Sequence, residues 1–236
     1  MNRQGNTYTL IYSIVLVAVV GIVLSLVYQA LRPSQEENIA NDTKRQILAA
    51  ARIAPAEGES ISELYNRHIK ESYIVNSRGE KIDEKKEAFT VNVGNQVKEP
   101  ADKRELPVFV CDTKDGTKYI LPVYGAGLWG PIWGYIAFDD NGDTIYGAYF
   151  AHQGETPGLG AEIEKPKFSD QFEGKNIFNS EGEFKSIAVL KAGQKAEGMA
   201  SVDAVSGGTI TSQGVQRMLE NSLAPYSTFL KNLKKK

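Results

Sequence analysis

The stretch LPVFVCDTKDGTKYILPVYG, residues 106–125, decides the fold class. Two segments rich in β-branched and aromatic residues flank Asp115-Gly116, and an Asp-Gly pair in that setting is typical of a tight hairpin turn. The chain then repeats the arrangement, because PIWGYIAFD and TIYGAYFAHQ are separated by DNGD. We therefore expect four strands in two hairpins, which form an antiparallel sheet.

Helical patterns lie on both sides of these hairpins. A first helix is expected after Pro33, starting at a capping box of Ser34 and Glu37, and a second over residues 61–70. Residues 168–173 form a possible short helix, and apolar residues at helical spacing follow Gln213. Three further strands are expected in SYIVN (72–76), AFTVNV (88–93) and FKSIAVLK (184–191). The predicted class is α+β, a mainly antiparallel sheet flanked by helices.

The N-terminal segment is apolar enough to cross a membrane. Residues 4–31 carry no charge, and residues 10–27 are apolar apart from two serines. Since about 20 residues of helix span the ~30 Å hydrocarbon core, we predict a transmembrane helix over about residues 8–31. The alternative is a cleaved signal peptide with Ala30 near the cleavage site. Tyr28 disfavours it, because a small residue is needed two positions earlier.

We divide the chain into a membrane anchor (1–32), a helical and mixed part (33–104) and a main domain (105–236). The counts of 27 basic and 29 acidic residues give a net charge of −2, which does not favour nucleic-acid binding. Only one cysteine is present, so neither an intrachain disulfide nor a cysteine metal cluster is expected. We assign no metal site. Cys111 lies in an apolar run, where a buried thiol is expected.

A second informative stretch is DAVSGGTITSQG, residues 203–214. Gly207 and Gly208 lack Cβ atoms directly before Thr209, so the backbone can adopt positive φ and a bulky group can approach it. Thr211 and Ser212 are residue types that cap helix N-termini. The Thr209 hydroxyl is therefore expected near a helix N-terminus, where free N–H groups and the helix dipole favour a phosphate.

The pattern D-x-x-S-G-G-T resembles the flavinylation motif D-x-x-[S/T]-G-A-[T/S], in which the last hydroxyl is linked to FMN through a phosphoester. With GLWG (127–130) and ETPGLG (155–160) ahead of it, behind one transmembrane segment, the whole chain resembles the FMN-binding domain family. GLWG favours the type found as the C subunit in the sodium-translocating NADH:quinone oxidoreductase over the related G subunit of the Rnf complex. Gly208 stands where Ala is usual, and we expect the loss of one methyl to be tolerated.

The resemblance implies that Thr209 receives FMN from FAD through a separate, magnesium-dependent flavin transferase. It also implies a flavoprotein subunit that relays electrons within a multisubunit membrane complex and has no catalytic residue or substrate site of its own. The family places such a protein in the bacterial inner membrane, with one transmembrane pass and the large domain on the periplasmic side. A non-redox periplasmic module that binds another ligand is the alternative from a different class.

The resemblance also assigns roles in flavin binding. Trp129 and Leu159 would contact the faces of the flat isoalloxazine ring, although both are also expected as core residues. The ring edge and the phosphate would be held by polar groups and by backbone N–H groups of the glycine turns. These groups are expected at Glu155, Thr156, Gly158, Ser206, Gly207, Gly208 and Lys191.

Several of these residues have a second interpretation. Glu155 could cap a turn, and Lys191 could face solvent. His152 could hydrogen-bond locally or touch the flavin. Because a threonine hydroxyl needs a base or a metal to attack a pyrophosphate, and no His-Asp pair lies near Thr209 in the sequence, we expect Asp203 to shape the turn or to be recognised by the transferase.

Overall fold

A computed structural model describes residues 5–82 and 87–234. It divides after Thr43 into two compact units. Helix α1 spans Asn6–Ala50 and includes the predicted transmembrane segment, residues 8–31. An 18-residue window of α1 has a mean hydropathy of 2.9, and none of it is buried in the protein. The helix is thus long and apolar enough to cross a membrane, as expected.

Helix α1 continues through Pro33, so the prediction of a new helix starting at Ser34 is wrong. A proline inside a helix removes one backbone hydrogen bond and costs about 3 kcal/mol relative to alanine. Residues on both sides nevertheless keep the helical conformation, and Arg32 Nε pairs with Glu36 Oε1 across the proline at 2.8 Å. The capping-box residues therefore lie inside a helix.

The short elements before the first hairpin agree only partly with expectation. Helix α2 spans Ile61–His68, two residues shorter than predicted, and begins where Ser60 Oγ accepts the Glu63 N–H at 3.5 Å. The predicted strand over residues 88–93 is wrong, because this segment forms a 3-10 turn followed by helix α3, Val93–Gln96. The Asn92 side chain accepts the Asn95 N–H at 3.0 Å and so starts the helix.

Both predicted hairpins are confirmed. The strands are β1 Ile69–Val75, β2 Lys81–Ile82, β3 Leu106–Thr113, β4 Gly116–Ala126, β5 Pro131–Phe138 and β6 Ile145–His152. Strand β1 includes most of the strand predicted at residues 72–76. Among the described residues, these strands form a six-stranded antiparallel sheet in the order β2-β1-β3-β4-β5-β6. Gly116 has a φ of +93°, which the tight β3–β4 turn requires and which glycine adopts without strain.

Side chains alternate between the two faces of this sheet, and each face has its own core. Leu121 and Ile136 point to the larger core, which also contains residues of helices α5 (Thr209–Leu223) and α6 (Ser227–Leu233). Ile120 and Cys111 point to the smaller core on the other face. Cys111 is fully buried, which confirms the expectation, and burial raises the pKa of its thiol to about 12.

The strand predicted in FKSIAVLK is confirmed as β7, Ile187–Leu190, but it does not join the antiparallel sheet. It pairs in parallel with β8, Ala200–Asp203, in a separate two-stranded sheet. Ile187 and Val189 are buried in the larger core, which also contains buried residues of α5. The position of β7 is therefore determined by packing against α5. The local sequence pattern predicts the strand but not its place in the fold.

The predicted short helix at residues 168–173 is confirmed as helix α4, Pro166–Ser169, and a following 3-10 turn. Gln171 in that turn lies at the side of β8. Its Oε1 accepts the Asp203 N–H at 2.8 Å, and its Nε2 donates to the Asp203 carbonyl at 3.3 Å. This side chain therefore forms the two hydrogen bonds that a neighbouring strand would form.

Candidate functional site

Helix α5 begins at Thr209, four residues before the predicted start at Gln213. Gly208 is its N-cap residue, and the Ser212 N–H donates to the Gly208 carbonyl at 2.8 Å, which closes the first turn. Thr211 and Ser212, expected as caps, are buried inside this turn. The side chain of Thr209, the first helical residue, is exposed.

The two glycines before Thr209 have different structural roles. Gly207 has a φ of +73°, and a Cβ atom there would lie 2.6 Å from Leu159 Cδ2. Gly208 has an ordinary φ of −107°. A Cβ atom at Gly208 would lie 3.1 Å from the Val205 side chain and 3.3 Å from the Gly160 Cα, so a methyl group fits after a small shift. Gly207 is therefore required by backbone geometry, whereas Gly208 is close to accepting alanine.

We expect Gly207→Ala to lower the free energy of unfolding by about 1–2 kcal/mol from the left-handed backbone alone, and by more through the contact with Leu159. Gly208→Ala is expected to cost less than about 1 kcal/mol, because its backbone lies in an allowed region. Urea denaturation of the two variants, followed by circular dichroism, measures the difference. Equal losses in both variants would contradict this assignment.

Two cavities lie beside Thr209 and share Gly207 in their walls. The first has a volume of about 220 Å³ and lies between the ETPGLG loop, Leu128 and the start of α5. The second has a volume of about 460 Å³ and lies between the ends of β7 and β8 and the first turn of α5. Thr209 lines both cavities and thus stands between two spaces of different size.

The structure brings most of the predicted site residues around these cavities. Glu155, Thr156 and Leu159 line the first cavity, and Lys191 and Ser206 line the second. Gly207 and Thr209 line both cavities, and Gly208 lines the first. Gly158 lies in the ETPGLG turn outside both walls, with a φ of +75°, and its N–H donates to Glu162 Oε1 at 3.2 Å.

Apolar side chains at the first cavity are exposed. Leu159, in the wall of this cavity, is 43% exposed, and Trp129, which lines neither cavity, is 68% exposed, so the expectation that they are core residues is wrong. Two residues that sequence reasoning missed, Leu128 (48%) and Ile210 (50%), line the first cavity together with Leu159. Ile210 could have been found, because it is apolar yet lies off the buried stripe of α5. Exposed apolar side chains grouped around a cavity are typical of a ligand site.

Glu155 is buried, with 4% of its surface exposed, and it connects three segments of the site. Its Oε1 accepts the Trp129 N–H at 2.9 Å, and its Oε2 accepts the Thr211 hydroxyl at 2.5 Å. Its own N–H donates to His152 Nδ1 at 3.1 Å, which places the proton of the neutral ring on Nε2. That Nε2 lies 3.5 Å from Glu164 Oε2, without a hydrogen bond.

Known proteins resemble this chain in sequence. Residues 127–224 match the family described as FMN-binding domain. The C subunit of the Na(+)-translocating NADH-quinone reductase of Vibrio vulnificus is 32% identical over an alignment that covers 86% of this chain and 84% of that protein. The corresponding protein of Pseudomonas aeruginosa is 29% identical over an alignment that covers 99% of this chain and 98% of that protein.

Solved structures agree with the sequence relatives. The crystal structure of the same reductase component from Parabacteroides distasonis superimposes with a TM-score of 0.78 at 50% identity, and the match covers 85% of this chain and 96% of that chain. The crystal structure of Shewanella oneidensis NqrC gives a TM-score of 0.70 at 26% identity, covering 84% and 98% of the two chains.

Proposed function

Because the chain belongs to the NqrC family, the C subunits of Na(+)-translocating NADH-quinone reductases, we propose that it carries FMN covalently on Thr209 and relays electrons within that membrane complex. The observation that carries this proposal is the position of Thr209. It is the exposed first residue of a 15-residue helix, and it stands between two cavities. The Rnf-type alternative is set aside in favour of the NqrC type.

The start of α5 suits a phosphoester. The first N–H groups of a helix have no partner inside the helix, and the positive end of its dipole lies there. A phosphate on the Thr209 hydroxyl can therefore accept hydrogen bonds from this first turn. Lys191, in the wall of the second cavity, supplies a positive charge on the same side.

The first cavity suits a flat, largely apolar ring. Leu128, Leu159 and Ile210 provide exposed apolar contacts, and Thr156 provides a polar group. FMN, when bound, supplies the capacity to accept and donate electrons. The chain supplies attachment, orientation and the electrostatic surroundings.

A separate flavin transferase, which uses FAD and Mg²⁺, is the proposed source of the FMN. A threonine hydroxyl is a weak nucleophile and needs activation by another group. Asp203, Ser206 and Thr209 are exposed, so the polar side chains of the motif are accessible to a second protein. This accessibility supports modification by a separate enzyme that recognises the segment.

Helix α1 is proposed as a single-pass anchor in the inner membrane, with the large domain on the periplasmic side. Its uncharged segment, residues 4–31, and its length support the anchor. Alkaline phosphatase fused at the C-terminus is expected to be active in cells, because that enzyme folds only after export. An inactive fusion, together with a fluorescent cytoplasmic reporter at the same position, would contradict the orientation.

The full chain, produced with a flavin transferase and FAD, is expected to gain the mass of one FMN less one water. It should also give a fluorescent band in a denaturing gel, whereas chain produced without the transferase should not. An unchanged mass, in the presence of a transferase shown to modify another substrate, would overturn the proposed function.

A further inference from the structure

Glu155 is the one buried carboxylate in the wall of the first cavity, within the part of the chain that the structure describes. Space for it is provided by two glycines. A Cβ atom at Gly127 would lie 2.5 Å from Glu155 Oε1, and one at Gly160 would meet Oε2 closely. Both neighbouring turns are thus shaped to accommodate a carboxylate at this position.

The hydrogen bonds of Glu155 connect opposite walls of the site. The Trp129 N–H belongs to the GLWG turn, and the Thr211 hydroxyl belongs to the first turn of α5, two residues after Thr209. Both groups donate, so the carboxylate accepts at both oxygens.

We propose that Glu155 is a positioning residue for the flavin site: it clamps the GLWG turn to the start of α5 and fixes a negative charge beside the flavin. This inference rests on the proposed function. An electron that enters the flavin without a proton adds negative charge to the ring, and a nearby carboxylate disfavours that charge in a poorly solvated site. Glu155 therefore lowers the reduction potential, in addition to holding the walls together.

The charge is tested with Glu155→Gln in the full, flavinylated chain. Glutamine keeps the shape and an oxygen that accepts the Trp129 N–H, but it removes the charge. We expect full FMN attachment by mass and a reduction potential shifted to more positive values. Glu220→Gln is the matched control, because Glu220 is exposed on α5, eleven residues and about 16 Å along the helix axis from Thr209.

The clamp is tested in flavin-free chain, so that its outcome does not depend on the cofactor. In Glu155→Ala, the Trp129 amide is expected to exchange hydrogen with solvent at least about tenfold faster than in the unmodified sequence, since it loses a charged acceptor. Should this variant fail to fold, Thr211→Val provides the second measurement. It keeps the charge and removes one donor, so the first turn of α5 should exchange faster while the potential does not rise.

The outcomes separate the two proposals. A flavinylated Glu155→Gln chain with an unchanged potential, or a Glu155→Ala chain with unchanged Trp129 exchange, would overturn the role of Glu155. A potential that rises equally in Glu220→Gln would also overturn it. Failure of the unmodified sequence to gain FMN would overturn the proposed function instead, and amide exchange would still decide whether the clamp exists.

Discussion

Thr209→Val is expected to abolish covalent flavin attachment. Valine has nearly the same shape as threonine, so the helix start is preserved, but it lacks the oxygen that forms the phosphoester. Thr209→Ser keeps a hydroxyl at the same position and is expected to retain attachment. Intact mass and in-gel fluorescence of chain produced with a flavin transferase measure both results.

Thr228→Val is the matched control for the Thr209 substitution. Thr228 is exposed on α6 and lines neither cavity. Loss of this hydroxyl should leave attachment intact, since it lies outside the flavinylation motif. FMN on Thr209→Val, with its site located by peptide mass, would show that another hydroxyl such as Ser206 is the acceptor.

Phe172→Ala is expected to cause the largest loss of stability among single substitutions near the site. Phe172 is fully buried, and its ring centre lies 5.0 Å from that of Phe150 and 5.5 Å from that of Phe168. Truncation removes most of the side chain and leaves a cavity, which costs about 3–5 kcal/mol. For a domain of this size the melting temperature should fall by about 10 °C.

Phe172→Leu serves as its control, because it leaves a smaller void and is expected to cost less than about half as much. Urea unfolding curves of both variants measure the loss. If the Phe172→Ala and Phe172→Leu variants had equal free energies of unfolding, packing in the ring cluster would not contribute to stability as the distances indicate. The cluster flanks the ETPGLG loop in the chain, with Phe150 before it and Phe168 and Phe172 after it, so flavin fluorescence anisotropy should also fall in Phe172→Ala.

The parts of the fold that the sequence predicts are those with local causes. Asp115-Gly116 selects a tight turn whatever surrounds it, and the alternation on either side determines which residues face each core. The apolar run over residues 10–27 needs no tertiary information either. The class and the sheet follow from such signals, whereas the parallel pairing of β7 with β8 depends on packing against α5.

The residue types of the site are predictable from the sequence, and its internal contacts are not. The glycines, Thr209 and the ETPGLG loop carry recognisable chemistry. Thr211 and Ser212 are residue types that cap helices. In the structure, however, the Thr211 hydroxyl donates to Glu155, which lies 56 positions earlier, and the Ser212 hydroxyl accepts the Val205 N–H. The hydrogen-bond partner of a hydroxyl depends on the tertiary structure. Residue type alone therefore predicts the start of α5 four residues too late.

The hydrogen bonds of Gln171 affect the tendency of this chain to self-associate. An uncovered strand edge is a template on which another chain can add a strand. By bonding both backbone groups of Asp203, the Gln171 carboxamide blocks that addition at the end of β8. The segment that leads to Thr209 can thus stay open to a modifying enzyme without becoming a point of self-association.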